Sequence, residues 1–364
     1  MYKKMPFVFE KKIHALSKCP LNHSVLFFFV LICLTGCTKK IYDVVYPTLS
    51  DGKYDTEFPY KNCSRQLEEI SRSVKKLNCI VYYNSYIFSE EDQITKSDLN
   101  SRTIRNKAIK NVVFNKSGSG TATIIYHDAD RIALLTCAHI IDTPDTIMSY
   151  FRGAERGGEE IIQSVSIKVR QQNFIVDIPI YGGEVEIIKI DRKKDIAVVG
   201  RKGLVLGGFV PVFSYPAGKS SELEWGSFVY LIGYPVGFKM ITRGIVSNPN
   251  MDASGRFLID ALFNRGFSGG VVLAIKDGVP NFELVGIAKS VSVKHVYVLR
   301  PSEDVGEYSY DPNVPYRGDT YVQLKSDINY GITHAISIET IWTFFDENKK
   351  FFIEKGYDFK GLFD

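Results

Sequence analysis

The chain has little of what would announce a metal, a membrane span or a nucleic-acid partner. Six cysteines in 364 residues are too few for a disulfide scaffold, and no C-x-x-C pair or H-x-x-x-H clip is present to hold structural zinc. No metal and no cofactor are therefore expected. The uncharged apolar run at 25–34 holds 10 residues, where a helical span needs about 20. There is no internal repeat and no low-complexity tract, and 14 Pro with 29 Gly is an ordinary globular proportion. An excess of one charge is also nearly missing, with 45 Lys and Arg against 41 Asp and Glu. Residues 1–36 hold five lysines against Glu10 alone, so 40 charges of each sign remain in the rest of the chain. That body is neutral and offers no basic patch to recommend nucleic acid.

The amino-terminal segment has the order of a secretory signal: a lysine-rich stretch, a short apolar run, then the small residues Thr35 and Gly36 before Cys37. An uncleaved membrane anchor is the alternative. Leu34-Thr35-Gly36-Cys37 resembles a bacterial lipobox, which implies a signal peptide over 1–36, acyl chains such as palmitate on Cys37, and a protein held at a membrane surface. Thr38 and Lys39 follow with no Asp at the second position, so in a two-membrane bacterium the resemblance implies the outer membrane. Cys19 and Cys33 would leave with the signal. Of the remaining Cys63, Cys79 and Cys137, an oxidising compartment makes Cys63 and Cys79 the candidate disulfide, though sequence does not fix the pairing.

Residues 37–61 lack periodicity and read as a tether. Leu67, Ile70, Val74 and Leu77 follow helical spacing and predict a short helix over 64–77. Short β-branched and aromatic runs follow at 80–88, 121–126, 132–136, 161–169, 174–180, 184–190, 196–199, 228–232, 244–247, 256–259, 271–275, 283–288 and 294–299. So many short strands with almost no helix between them point to closed antiparallel barrels or a sandwich, an all-β fold. Polar stretches at 89–110, 142–160 and 300–327 are expected as long loops, 338–345 as a carboxy-terminal helix and 349–364 as a tail.

Three segments carry chemistry. Thr136-Cys137-Ala138-His139 ends an apolar run, Asp195 opens another, and Asn264-Arg265-Gly266-Phe267-Ser268-Gly269-Gly270 is a glycine-flanked serine. An unactivated serine is a poor nucleophile and needs a neutral imidazole to take its proton, while a buried carboxylate fixes the imidazole tautomer. The glycines let the backbone turn until amide N–H groups converge on an oxyanion. Each segment alone has an ordinary structural reading: a packed histidine, a capping acid, a turn.

Together, in this order, they resemble the trypsin-like serine peptidases, whose signatures are T-x-A-H, D-[IL]-A and G-x-S-G-G. The stretch 231–237, then Thr242-Arg243-Gly244-Ile245-Val246-Ser247, and Ile259-Asp260-Ala261 leading into Asn264 resemble the second barrel of the HtrA (Deg) peptidases. The similarity runs from about Cys79 to Phe345. It implies two antiparallel Greek-key β-barrels over 62–348, meeting near 205–225, with a short helix at each end. It also implies His139 as general base, Asp195 as its orienting acid, Ser268 as nucleophile, and the amides of Gly266 and Ser268 as oxyanion hole. Asp191 is expected to be a turn residue, and Asp142 a weaker rival to Asp195. In such pockets the residue six before the serine lies at the base, which places Leu262 beside Phe263 and disfavours cleavage after Lys or Arg.

Two departures stand out. Phe267 occupies the position where the family usually has Asn or Asp, and the residues after the final helix leave no room for the PDZ domain most HtrA proteins carry. The expectation is a lipid-anchored serine endopeptidase acting on polypeptides at the bacterial cell envelope, with the oligomeric state open. Its alternatives are a non-catalytic lipid-anchored binding module of the same fold, in which Phe267 marks a closed oxyanion hole, and a hydrolase of small esters.

Overall fold

The computed structural model describes residues 50–178, 183–203, 209–262, 264–301, 313, 315, 318 and 320–362. Ser50 and Asp51 belong with an amino-terminal unit, and the folded body spans Gly52–Asp364. Cys37 and the segment 1–36 lie outside the described residues.

Among the described residues the body has thirteen strands in two sheets. The first holds β1 (Val74–Ile87), β2 (Lys110–His127), β3 (Arg131–Cys137), β4 (Thr146–Arg156), β5 (Glu159–Ile175), β6 (Glu184–Asp191) and β7 (Ile196–Lys202), all paired antiparallel. Its order is β1-β2-β3-β7-β6-β5, and β5 pairs back onto β1 to close a ring, with β4 on the outer side of β5. The second holds β8 (Phe228–Gly233), β9 (Met240–Asn248), β10 (Phe257–Asp260), β11 (Val271–Ile275), β12 (Phe282–Pro301) and β13 (Thr320–Ser337). It closes in the order β8-β9-β10-β13-β12-β11. The six strands of each ring therefore connect identically: three in succession, then a crossing to the far side and a return. Of the two architectures the strand pattern allows, barrels are found.

The two faces of β8 and β11 explain how the barrels join. Alternate side chains point to opposite sides of a strand. Val229, Leu231, Val272 and Ala274 fill the second barrel, while Phe228, Tyr230, Ile232, Val271, Leu273 and Ile275 turn outward into a cluster continuous with the core of the first. Both faces are buried, which is why these strands read as unbroken apolar runs.

Several expectations are corrected. The predicted helix over 64–77 stops at Ser73 as α1 (Ser64–Ser73), and Val74 is already extended. From Leu77 the buried positions recur every second residue through Cys79, Val81 and Tyr83, a strand period that overrides the local helical spacing. The polar stretch 89–110 contains α2 (Ser101–Lys107), capped by the Asn100 side chain on the amides of Arg102 and Thr103. Its Ile104 packs with Phe88, Ile94, Ile162 and Val165 into a small separate core. The stretch 142–160 supplies β4, the run at 161–169 is extended as β5 only to Ile175, just inside the run expected at 174–180, and those at 283–288 and 294–299 fuse into β12.

The tether expected over 37–61 is bound before its end. Tyr54 and Asp55 are buried, Tyr54 Oη donates to Glu283, and the Asp55 amide donates to the Ile275 carbonyl at 2.9 Å. Cys63, Cys79 and Cys137 are three free buried thiols, so the Cys63–Cys79 disulfide is not formed. Cys79 points into the first barrel, whereas Cys63 Sγ lies 3.6 Å from the Tyr230 hydroxyl.

The tail expected over 349–364 is core. After α3 (Ile338–Glu347) and α4 (Lys349–Glu354), Phe352, Tyr357, Phe359 and Leu362 are buried. Phe345, Phe352 and Phe359 meet with ring centroids 4.8–5.4 Å apart, and Tyr126 of β2 receives the edges of Tyr357 and Phe359 at 5.5 and 5.7 Å. Phe352→Ala should cost about 3–5 kcal/mol and lower the melting temperature in a thermal scan; an unchanged melt would mean that this segment does not stabilise the first barrel.

Candidate active site

His139 and Asp195 meet because β3 and β7 are neighbours. Cys137 pairs with Ile196 at the end of that ladder, so the turn that follows one strand faces the turn that precedes the other. His139 lies on a single 3-10 turn, Ala138–Ile140, anchored where the Ala138 amide donates to the Asp195 carbonyl at 3.1 Å. Asp195 has φ +59°, a left-handed conformation costly for a non-glycine residue and held here by its contacts. Asp191 is the turn residue expected: its Oδ1 accepts the amides of Lys193 and Lys194, both at 2.9 Å.

The Asp195 side chain is 9% exposed and takes His139 Nδ1 on Oδ2 at 2.9 Å and on Oδ1 at 3.1 Å. Oδ1 also accepts the His139 backbone amide at 2.9 Å. Burial raises the Asp195 carboxyl, but the ring, charge and amide of His139, helped by the Lys289 ammonium, outweigh it and hold the group below the usual carboxylate value. An ionised carboxylate so placed fixes the imidazole with its proton on Nδ1 and leaves Nε2 to act as a base. Asp142 takes no part. It binds Arg192 through both oxygens at 2.8 and 2.9 Å.

Ser268 is delivered from the second barrel by the turn between β10 and β11. Phe267 N–H closes that turn on the Asn264 carbonyl at 3.1 Å, with Gly266 at φ +108° in the third position. A type II turn requires positive φ there, and a Cβ on Gly266 would stand 2.2 Å from the Tyr234 carbonyl oxygen. Among the described residues, the amides of Gly266 and Ser268 donate to no acceptor, whereas those of Phe267, Gly269 and Gly270 all do. Two uncommitted N–H groups beside the serine are what a developing oxyanion needs.

Phe267 settles how this turn is held. It is 1% exposed and packs in the second barrel's core with Val229, Leu231 and Val272. An apolar anchor replaces the polar one expected at this position, and the turn is not closed over by it.

Thr121 of β2 joins the halves of the site, and the motifs gave no sign of it. Its amide donates to the Ser268 carbonyl at 2.8 Å. Its hydroxyl donates to the Gly266 carbonyl at 2.7 Å and accepts the Tyr234 amide at 2.9 Å. Its own carbonyl accepts Thr136 Oγ1 at 2.7 Å. Lys289 also escaped the motifs: its carbonyl accepts the Ser268 hydroxyl at 2.8 Å and its Nζ stands 3.6 Å from Asp195 Oδ2. Both were invisible because their roles come from strand register rather than from any local pattern. In this resting arrangement Ser268 donates to Lys289, and among the described residues it makes no hydrogen bond to His139. Nucleophile–base contacts of this kind commonly tighten only when substrate is present.

Leu262, expected at the base of a specificity pocket, is 69% exposed and so does not floor an enclosed cavity. Phe263 lies outside the described residues. Potential metal donors from Cys137, His139 and Asp195 do lie within 4.8 Å of one another. The thiol, however, is fully buried, is pushed well above its usual value by that burial and by Asp195, and sits against the Ala288 carbonyl. It is a protonated packing group, not a ready ligand.

Residues 120–287 match the family model of the trypsin-like peptidase domain, a span that contains His139, Asp195 and Ser268. No curated protein matches the chain by sequence. A solved structure titled "Crystal structure of Deg5" aligns at 18% identity with a TM-score of 0.35, over 62% of this chain and 83% of its own. Two six-stranded antiparallel barrels of identical connectivity, with the candidate residues gathered where they meet, make this the chymotrypsin/trypsin-like fold.

Thr121→Val keeps the side chain's shape but orphans the Gly266 carbonyl and the Tyr234 amide. At about 1–3 kcal/mol for each unsatisfied group, it should lower the denaturant midpoint clearly, while Thr121→Ser should stay close to wild type. Equal losses in both variants would show that packing, not the hydroxyl, matters.

Proposed function

We propose that this chain is a serine endopeptidase that cleaves envelope or unfolded polypeptides through a covalent acyl-enzyme, without cofactor or metal. One observation carries the reading. An ionised, buried Asp195 orients His139 beside a serine loop that keeps two amides uncommitted. The match to the trypsin-like peptidase family supports the same reaction class.

The chemistry follows from the parts. With substrate bound, the Ser268 hydroxyl leaves the Lys289 carbonyl and turns to His139, which takes its proton as Oγ attacks the scissile carbonyl. The developing oxyanion is received by the amides of Gly266 and Ser268, each such donor contributing roughly 3 kcal/mol to transition-state stabilisation. Asp195 stabilises the imidazolium, which then protonates the leaving amine. Water repeats the sequence to release the acyl product.

Attachment through acyl chains on Cys37 at the cell envelope, on the outer membrane where there are two, belongs to the same proposal and rests on the lipobox-like Leu34-Thr35-Gly36-Cys37. The HtrA-like character rests on the residue pattern of the second barrel.

A fluorophosphonate probe should label the protein, and Ser268→Ala should abolish the labelling. His139→Ala should slow it at least a hundredfold. Absence of Ser268-dependent labelling, with or without a peptide present, would favour the non-catalytic binding module. Separately, Cys37→Ser should remove incorporation of radiolabelled palmitate and leave unprocessed precursor on a gel; unchanged processing would refute the anchor.

A further inference from the structure

We propose that Lys289 is a positioning residue of this site: its main chain parks the Ser268 hydroxyl, and its ammonium shares the Asp195 carboxylate with His139. The inference rests on the peptidase reading for its effect on rate, though not for its effect on the His139–Asp195 pair.

The origin lies in the register of β12. Ala288 pairs with Ala335 of β13 and Ser290 pairs with His334, so Lys289 is the extra residue of a β-bulge. A bulge leaves one residue outside the ladder and turns its side chain and peptide in directions a regular strand forbids. The backbone before it is firmly held: the Ala288 amide donates to the Gly270 carbonyl and its carbonyl accepts the Gly269 amide, each at 2.8 Å. The same carbonyl receives Cys137 Sγ at 3.4 Å. With Ala288 pinned between the serine loop and β3, the bulged residue presents its carbonyl to Ser268 at 2.8 Å and its Nζ to Asp195 Oδ2 at 3.6 Å. The Lys289 side chain is only 25% exposed, so bulk water does not fully screen the contact.

Oδ2 thus serves the Lys289 ammonium and the imidazole at once, because it also binds His139 Nδ1 at 2.9 Å. The ammonium takes up part of the carboxylate's charge and leaves less of it to stabilise an imidazolium. A charged imidazole therefore finds less of the carboxylate free to stabilise it than in an unaccompanied His–Asp pair. The groups around the pair are few. Asp195 faces His139, Lys289 and the Cys137 thiol, and Lys289 in turn faces Asp195 and, across from β13, His334, which also feels Arg256 just before β10. Burial lowers His334, and both cations add to that, so it remains neutral around pH 7 and does not compete for the carboxylate.

The test uses the folded full chain as wild type, Lys289→Met, Lys289→Arg and His334→Gln. Two quantities are followed against pH: the second-order rate of fluorophosphonate labelling and the imidazole NMR signals of His139, assigned with His139→Gln. Lys289→Met should move the acid limb of the labelling profile, and the His139 titration, upward by about half a unit to one unit. Lys289→Arg and His334→Gln should leave both where they are. A Lys289→Met profile superimposable on wild type would overturn the proposal, as would an equal shift in Lys289→Arg or in His334→Gln. A chain that labels in no variant would sink the peptidase reading alone, and the His139 titration would still decide for or against Lys289.

Discussion

Thr121 is the constraint on which the site depends. Its amide, hydroxyl and carbonyl are all spent, three of its four hydrogen bonds crossing from β2 of the first barrel to the second. The Ser268 loop belongs to one barrel and His139 to the other, and nothing within either barrel alone fixes their separation. One buried threonine ties the carbonyls of Gly266 and Ser268 to the strand that leads, through β3, to His139. Because those two carbonyls are held, the peptide planes next to them are oriented too, and the amides of Gly266 and Ser268 are left without partners among the described residues. A buried N–H with no acceptor is costly, and here the cost is borne where an incoming oxyanion would relieve it.

The remaining supports are apolar. Phe267 is seated in the second barrel between the serine loop and β8, so the loop is held by burial instead of by an ion pair that must first form. The barrels themselves share a continuous cluster through the outward faces of β8 and β11, and the aromatic carboxy-terminal segment seals the first barrel at Tyr126. The charged part of the site is a small region at the junction. Asp195 is its centre, with His139 and Lys289 as the two groups that compensate it.

The identical connectivity of the two barrels had no trace in the sequence. Strands of a barrel need only alternating side chains of suitable size, and the same 1-2-3-6-5-4 order can be built from unrelated residues. Polar composition at 89–110 and 142–160 hides α2 and β4 for a related reason. Ile104 stands alone in a polar segment, yet with Phe88, Ile94, Ile162 and Val165 it suffices for a small local core.

The amino-acid sequence by itself determined the class of fold and the candidate reacting groups. Period-two apolar runs demand sheets that bury one face, and a histidine, an aspartate and a glycine-flanked serine carry their chemistry wherever they are placed. What only the tertiary structure decided is how those groups are governed. The helix from Ser64 ends at Ser73 because the first barrel captures Val74 and Leu77, and Cys63 and Cys79 stay apart because one faces Tyr230 and the other the first barrel's interior. Thr121 and Lys289 gain their roles from a strand register and a bulge, which depend on pairing partners far along the chain. Such long-range pairings leave no local pattern to read, since each strand's own residues are compatible with many registers and only the closed barrels select one.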